Sequence, residues 1–306
     1  MFRAFDELIA AAKKTGPVTL SVAAAHDGEV LKTVKAAYDM GLADAILVGD
    51  AGKIEALAGE VGLPAGIKVV HQPDAAEAAL AAVSLVRDGQ AHVLLKGLMN
   101  TAAYLRAVLN PGMGLRTSRA LSHFGAYQAP HGEKLIYFTD TGINIAPDLD
   151  QKKDILANAI DALRAIGIEA PKIAILTANE LVNPKMPATA DARALSDMYA
   201  ADANFRGIVE GPISMDVALS REAALHKGIP SRIAGHVDLF VFPNIEAGNL
   251  MSKALIHFAK FKFAGIVLGA AQPVTLVSRA DDAECKLNSL ALACLVAART
   301  RKTRLV

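Results

Sequence analysis

The sequence predicts an α/β protein of about two packed units built around mostly parallel sheets. Short β-branched runs alternate with longer segments of 3.6-residue apolar periodicity, and 306 residues exceed one ordinary domain of this class. Hydrophobic residues make up 53% of the chain and the mean hydropathy is +0.31, yet they fall in short runs, none long enough to span a bilayer. No membrane partner is expected.

Residues 18–22 read as the first strand, followed by a helix that Asp27 caps and that runs to about Met40, then a strand at residues 45–48. The alternation continues with a strand at residues 68–70, a helix from about Asp74 to Arg87 and a strand at residues 93–96. In the middle, a strand at residues 135–139 leads through a helix from about Leu149 to Ile166 into a strand at residues 173–177. Further strands are expected at residues 207–209, 239–242 and 274–277. No low-complexity linker or internal repeat divides the chain, so the loop at residues 128–133 and the turn at residues 269–273 are the candidate boundaries.

Lys and Arg number 32 against 31 Asp and Glu, for a formal charge of +1. No basic run is interleaved with aromatics, so nucleic acid is not an expected partner. The first residues mix Arg3, Asp6, Glu7 and Lys13 with Phe and Ala, unlike a secretory signal. Cys285 and Cys294 are the two cysteines; they sit too far apart along one helix to bond and lack metal-type spacing. A reduced pair suits a cytoplasmic location.

Residues 273–298 carry the strongest local signal for chemistry. An apolar strand ends at Ser278-Arg279 and a helix starts within two or three residues, with Leu287, Leu290, Ala291, Cys294, Leu295 and Ala298 on one stripe. Asp281-x-x-Glu284 has the reach of a capping box, with Asp in place of Ser or Thr. Free backbone N–H groups and the positive end of the dipole make such a start an anion site. Arg279 adds a planar fork that can hold two phosphate oxygens together. Spacing alone leaves Arg279 open between that role and a surface position, and Asp281 and Glu284 open between caps and catalysts.

A second junction runs from an apolar strand into Lys96-Gly97, with Asn100 or Thr101 as the cap of the next helix and Arg106 within it. Lys96 puts a cation at the carboxyl end of a strand, where α/β sheets bind ligands, and Gly97 permits close approach to the backbone. The alternative is a lysine that snorkels to solvent beside an ordinary turn. Residues 114–123 hold Arg116, Ser118, Arg119, Ser122 and His123 and read as a polar loop, able to grip phosphate groups or merely solvated. After another strand, Thr139-Asp140-Thr141-Gly142-Ile143-Asn144 offers Asp140 and Asn144 either as groups that orient a ligand or as turn caps. His26, His71, His131, His226 and His257 have no partner spacing and read as structural or surface residues.

Taken in order, these segments resemble the phosphate acetyltransferase and phosphate butyryltransferase family, the butyryl type more closely. The resemblance runs from Ala43-Asp44-Ala45-Ile46-Leu47-Val48-Gly49-Asp50 through Leu95-Lys96-Gly97 and Leu121-Ser122-His123 to Gly211-Pro212-Ile213-Ser214-Met215-Asp216. Its most specific part is Ala234-Gly235-His236-Val237-Asp238-Leu239-Phe240-Val241-Phe242-Pro243-Asn244-Ile245-Glu246-Ala247-Gly248-Asn249, followed by Lys253 and by a closing segment that ends in Ser278-Arg279. The resemblance implies two α/β domains with the active site in the cleft between them: a first domain of residues 1–132 plus 269–306, and an inserted second domain of residues 133–268. It implies reversible transfer of a short acyl group between coenzyme A and inorganic phosphate through a ternary complex, without metal or other cofactor and with CoA as a substrate. A homo-oligomer is expected.

Carried onto this chain, Arg279 would bind the phosphoryl group and Ser278 the reacting carbonyl or phosphate, while Lys96, Gly97, Thr101, Arg116, Ser122, His123, Asp140 and Asn144 would bind substrate. Acetyl-type members carry an Asp seven residues beyond the Ser as the base for the thiol; here that position is Cys285, and the adjacent Glu284 is the candidate in its place. Two rival classes remain. One is a two-domain, metal-assisted NAD-dependent dehydrogenase of similar fold, against which stand the missing Gly-x-Gly-x-x-Gly after the first strand and the lack of a carboxylate cluster. The other is a non-catalytic CoA- or metabolite-binding protein.

Overall fold

The computed structural model describes residues 1–276 and 281–304, the last five of these by their backbone alone. The chain divides into two compact units, one formed by residues 2–119 and 263–306 and the other by residues 120–262 together with Met1.

In the first unit the order is α1 (Phe5–Lys14), β1 (Val18–Ala23), α2 (Gly28–Asp39), β2 (Ala43–Gly49), α3 (Ala51–Val61), β3 (Lys68–His71), α4 (Ala75–Arg87), β4 (Val93–Lys96) and α5 (Thr101–Val108). The strands lie β3-β2-β1-β4 and are parallel. Side-chain caps fix where the helices begin: Asp27 accepts from Glu29 N and Val30 N, Asp74 from Ala76 N and Glu77 N, and Asn100 from Ala102 N. Each cap contributes about 1 kcal/mol by satisfying otherwise orphaned donors.

The second unit contains β5 (Ser122–Gln128), β6 (Ile136–Thr139), α6 (Leu149–Ala165), β7 (Lys172–Leu176), α7 (Pro187–Ala201), β8 (Ile208–Ile213), α8 (Met215–Leu219), α9 (Arg221–His226), β9 (Leu239–Val241) and α10 (Ile245–His257). Its strands lie β5-β6-β9-β7-β8, parallel except for the β5–β6 pair. Asp148 and Gln151 close a capping box at the start of α6. Buried aromatics fill this core: the rings of Tyr127 and Phe138 lie 4.4 Å apart, and Phe240 and Phe242 meet Phe138 edge-on. Each such pair contributes about 0.5–1.5 kcal/mol beyond the area it buries.

The chain then returns to the first unit through β10 (Lys262–Leu268), β11 (Val274–Thr275) and α11 (Ala283–Arg304). β11 lies parallel to β4, with Thr275 beside Leu95, and antiparallel to β10.

The helix and strand pattern expected from sequence is present, with three corrections. The two compact units part at 119/120 and 262/263. The polar loop ends at Leu121, and Ser122 and His123 open β5. The described part of the last strand stops at Thr275, and Val277 lies outside the described residues. Finally, α11 is buried all round over residues 288–298 rather than along one stripe, Asn288 and Ser289 included. Elements that surround a helix on all sides favour apolar and small residues over its whole circumference, which blurs the stripe.

Candidate active site

Ser278 and Arg279, to which the family resemblance gives the phosphate, lie outside the described residues. What can be followed is how the chain approaches and leaves them. The strand order 3-2-1-4 reverses its direction of growth between β1 and β4, and at such a switch point the loops at the strands' carboxyl ends part to form a ligand crevice. Lys96 is the last residue of β4 and is only 8% exposed. Its Nζ donates to Gly97 O at 3.3 Å and Met99 O at 3.2 Å, so the lysine does not snorkel to solvent. Carbonyl dipoles help to hold the ammonium at the end of β4.

Gly97 is required by a different contact from the one expected. A Cβ there would fall 2.2 Å from Ala24 O and 2.5 Å from Ala23 O, because Gly97 N and Leu98 N donate to those carbonyls at 2.8 and 2.9 Å. The close approach is to the end of β1, which turns at Ala24 with φ of 52°. Thr101, the first residue of α5, is exposed, and the capping side chain is that of Asn100.

At the start of α11 the cap is Asp282, not Asp281: its Oδ1 accepts from Cys285 N at 2.8 Å. The third residue after Asp282 is Cys285, so no acidic side chain can complete a box with it. Glu284 is exposed on the first turn. Lys286 is buried and its Nζ lies 3.9 Å from Glu29 on the first turn of α2. Burial pushes the Cys294 thiol up to about 12, which makes it an inert core residue. Arg116 is exposed, and its backbone bridges to Ala270.

In the second unit four expected residues come together where β6 ends and β5 begins. Asp140 is 3% exposed, and its carboxylate collects five donors: Gly142 N at 2.8 Å, Ile143 N at 3.0 Å, Asn144 N at 3.0 Å, Asn144 Nδ2 at 2.6 Å and His123 N at 3.2 Å. A carboxylate so engaged has little capacity left for a ligand; it shapes the loop at residues 141–144 and ties it to β5. Asn144 Nδ2 also reaches Leu121 O at 2.7 Å. Ser122 is fully buried and its Oγ accepts from Asn158 Nδ2 at 3.0 Å, which makes it an internal strut. His123 is partly exposed, with Nδ1 2.6 Å from Thr141 Oγ1.

Thr141, Gly248 and Asn249 belong to this cluster although composition and spacing did not single them out. Asn249 Nδ2 donates to Thr141 O at 3.0 Å, and a Cβ on Gly248 would fall 2.4 Å from Asp140 O. Gly248 and Asn249 fall in the long segment that ends at Asn249, but nothing in it names the partner.

A separate charged group lies at residues 180–227. Lys227 bonds Asp216 and Glu180, and Ser214 hydrogen-bonds both carboxylates. The hydrogen bond from Lys227, then that from Ser214, holds the Asp216 carboxyl down at about 2. This group is fully ionised near neutrality and clamps the loop after β7 to α8 and α9. Among the described residues no three His, Cys, Asp or Glu gather as a metal site, and no helix is long and apolar enough to cross a membrane.

Comparison with known proteins bears on this geometry. A family model described as phosphate acetyl/butaryl transferase matches residues 65–294. The chain is 44% identical over 298 residues to the phosphate butyryltransferase of Clostridium acetobutylicum, covering 97% of this chain and 99% of that one. It is 41% identical over 298 residues to the phosphate acetyltransferase of Rhizobium meliloti, covering 97% and 94%. Among solved structures, a branched-chain phosphotransacylase from Enterococcus faecalis V583 superposes with a TM-score of 0.80 at 34% identity, covering 92% of this chain and 99% of that one.

Proposed function

Because the chain belongs to the phosphate acetyl/butyryl transferase family, we propose that it reversibly transfers a short acyl group, butyryl in preference to acetyl, between coenzyme A and inorganic phosphate. The observation that carries this reading is likeness over almost the whole chain to transferases of this type. The family match disfavours the dehydrogenase, and a non-catalytic role has no observation in its favour.

In this reading the acyl group passes directly between sulfur and phosphate oxygen in a ternary complex. CoA is a substrate, and no metal or other cofactor takes part. Arg279 grips the phosphoryl oxygens with its fork, and Ser278 hydrogen-bonds the carbonyl as its negative charge grows. Lys96 adds a fixed cation at the switch point. A CoA thiol near its ordinary pKa is mostly protonated at neutral pH, so its attack needs a base; Glu284 takes that part where acetyl-type relatives have Asp. The enzyme works in the cytoplasm as a homo-oligomer, without nucleic-acid or membrane partners. An acyl-chain preference for butyryl is a matter of one or two methylenes, each worth about 1–3 kcal/mol in a pocket.

The test is initial rates with acetyl-, propionyl-, butyryl- and isobutyryl-CoA at fixed phosphate, with and without EDTA. Phosphate-dependent thiol release, fastest with butyryl-CoA and indifferent to EDTA, is expected. Release that does not depend on phosphate would refute the reading, and loss in EDTA restored only by a divalent ion would refute the metal-free part. Arg279→Lys keeps the charge but loses the fork. A charged hydrogen bond is worth about 1.5–3 kcal/mol, so kcat/KM for phosphate should fall roughly 10- to 150-fold with folding nearly untouched.

A further inference from the structure

Helix α10 is built the wrong way round for a helix that covers a sheet. Its buried residues are Gly248 and Ser252. A Cβ on Gly248 would fall 2.4 Å from Asp140 O, and Ser252 Oγ accepts from Tyr127 Oη at 2.7 Å. The helix therefore lies close to the protein through small groups, whereas Ile245, Met251, Leu255 and Ile256 are only half-buried and Leu250 is 70% exposed. A surface helix ordinarily turns its large apolar residues to the core and its polar ones to water.

The outward side carries an apolar stripe. Ala247, Leu250, Met251, Ala254 and Phe258 recur at spacings of three and four residues, so they share one face. Phe258, the C-cap, is 88% exposed; at the other end of the helix Ile145, 69% exposed, accepts on its carbonyl from Ile245 N at 3.0 Å. Single exposed apolar residues are ordinary on a protein surface, but several of the most exposed ones gathered on one helix and the loop bonded to its start mark an interaction face. Glu246 and Lys253 flank the stripe, both exposed. Seven residues put them about 10 Å apart along the axis, too far to pair within the helix, and among the described residues neither forms an ion pair.

We infer that α10 is the contact helix of a symmetric dimer and packs antiparallel against α10 of a second copy of this chain. The charges select a second copy as the occupant. A two-fold axis that crosses the helix midway between Glu246 and Lys253, beside Leu250, sets Glu246 of each copy against Lys253 of the other, so one helix supplies both halves of two ion pairs. The same axis puts Leu250 at the centre of the contact, with the small Ala247 and Ala254 about one turn to either side as holes for it. It also brings the Phe258 end of each helix to the Ile145 end of the other, and opposite ends of the two helix dipoles together. The inference rests on the homo-oligomer of the function proposed above, to which it assigns an interface, and not on the reaction.

Sedimentation velocity on the whole protein, over a range of concentrations, reads the association directly. The wild type should run at twice the 32.0 kDa of one chain. An anchor of hot-spot rank is worth about 30-fold in Kd, and two-fold symmetry counts it twice, so Leu250→Asp should raise the dimer Kd about 1,000-fold. That variant should remain folded, because the side chain it replaces is exposed. Glu246→Lys and Lys253→Glu should each weaken the dimer about tenfold by setting like charges together. Combining the two exchanges should return the Kd to near wild type, a rescue that damage to the fold could not give. A monomeric wild type, a dimer that Leu250→Asp leaves intact, or single charge variants that the combined exchange does not rescue would each overturn the inference. Thiol release is scored separately: a monomer that transfers butyryl to phosphate sinks the interface alone, and a dimer that behaves as expected but releases no thiol sinks the proposed reaction alone.

Discussion

Lys96 and Asp140 occupy equivalent positions in the two compact units, each at or just beyond the carboxyl end of a parallel strand, and each is buried. Their partners differ. Lys96 donates to two backbone carbonyls, groups that steady a cation. Asp140 is filled by five N–H donors, so its capacity is spent inside the protein. The comparison teaches that a charged residue at a strand end is either chemistry or scaffold, and that its partners decide which. In the proposed function Lys96 is the residue that meets a ligand, whereas Asp140 builds the loop that carries Thr141 and ties it to β5.

Asp140→Ala tests the scaffold side hardest. Removing one partner from a buried charged network costs about 3–5 kcal/mol, which urea denaturation should register together with lost activity. Asp140→Asn, which keeps one acceptor oxygen, should lose clearly less. If Asp140→Ala folds with wild-type stability, the carboxylate is not what holds the loop.

On the chemical side, Lys96→Met keeps the volume and removes the charge. Stability should drop by only about 1–2 kcal/mol, the cost of leaving carbonyls without a donor. Loss of one charged contact to substrate should lower kcat/KM roughly 10- to 150-fold. Wild-type rates for this variant would move Lys96 to the scaffold class and erase the contrast with Asp140.

The smallest effect distinguishes cap from catalyst at the start of α11. Asp282→Ala should cost about 1 kcal/mol in stability, as for other lost caps, with turnover per folded molecule unchanged. Glu284→Gln should show the opposite order, with the melting temperature held and turnover reduced. If Glu284→Gln lowers stability and leaves turnover alone, Glu284 is not the base.

How much of this was legible in the sequence follows from the range of the interactions. Asp27, Asp74 and Asn100 mark helix starts through bonds to residues two or three ahead, so their signals are local. β5 escaped because Ser122, His123 and Gln128 give its ends a polar look, while burial of both faces over residues 124–127 removes the alternation that marks a strand. β10 was missed as well, with Gly265 interrupting its apolar run. Pattern alone does not distinguish Asp281 from Asp282, the residue whose side chain caps α11. In the site, the positions of Lys96 and Asp140 were visible as strand ends, but their roles were not. That of Asp140 depends on Leu121, His123 and Asn249, residues that reach its loop from elsewhere along the chain.

The most direct measurement follows both products at once. The protein is incubated with butyryl-CoA and inorganic phosphate, free thiol is counted, and the phosphorus spectrum is read for a new acyl phosphate signal. The proposed function predicts one butyryl phosphate for each thiol released, and regeneration of butyryl-CoA when CoA and butyryl phosphate are supplied instead. Thiol release accompanied by free butyrate, with no acyl phosphate at any time, would mean that water and not phosphate accepts the acyl group, and would contradict the reading at its centre.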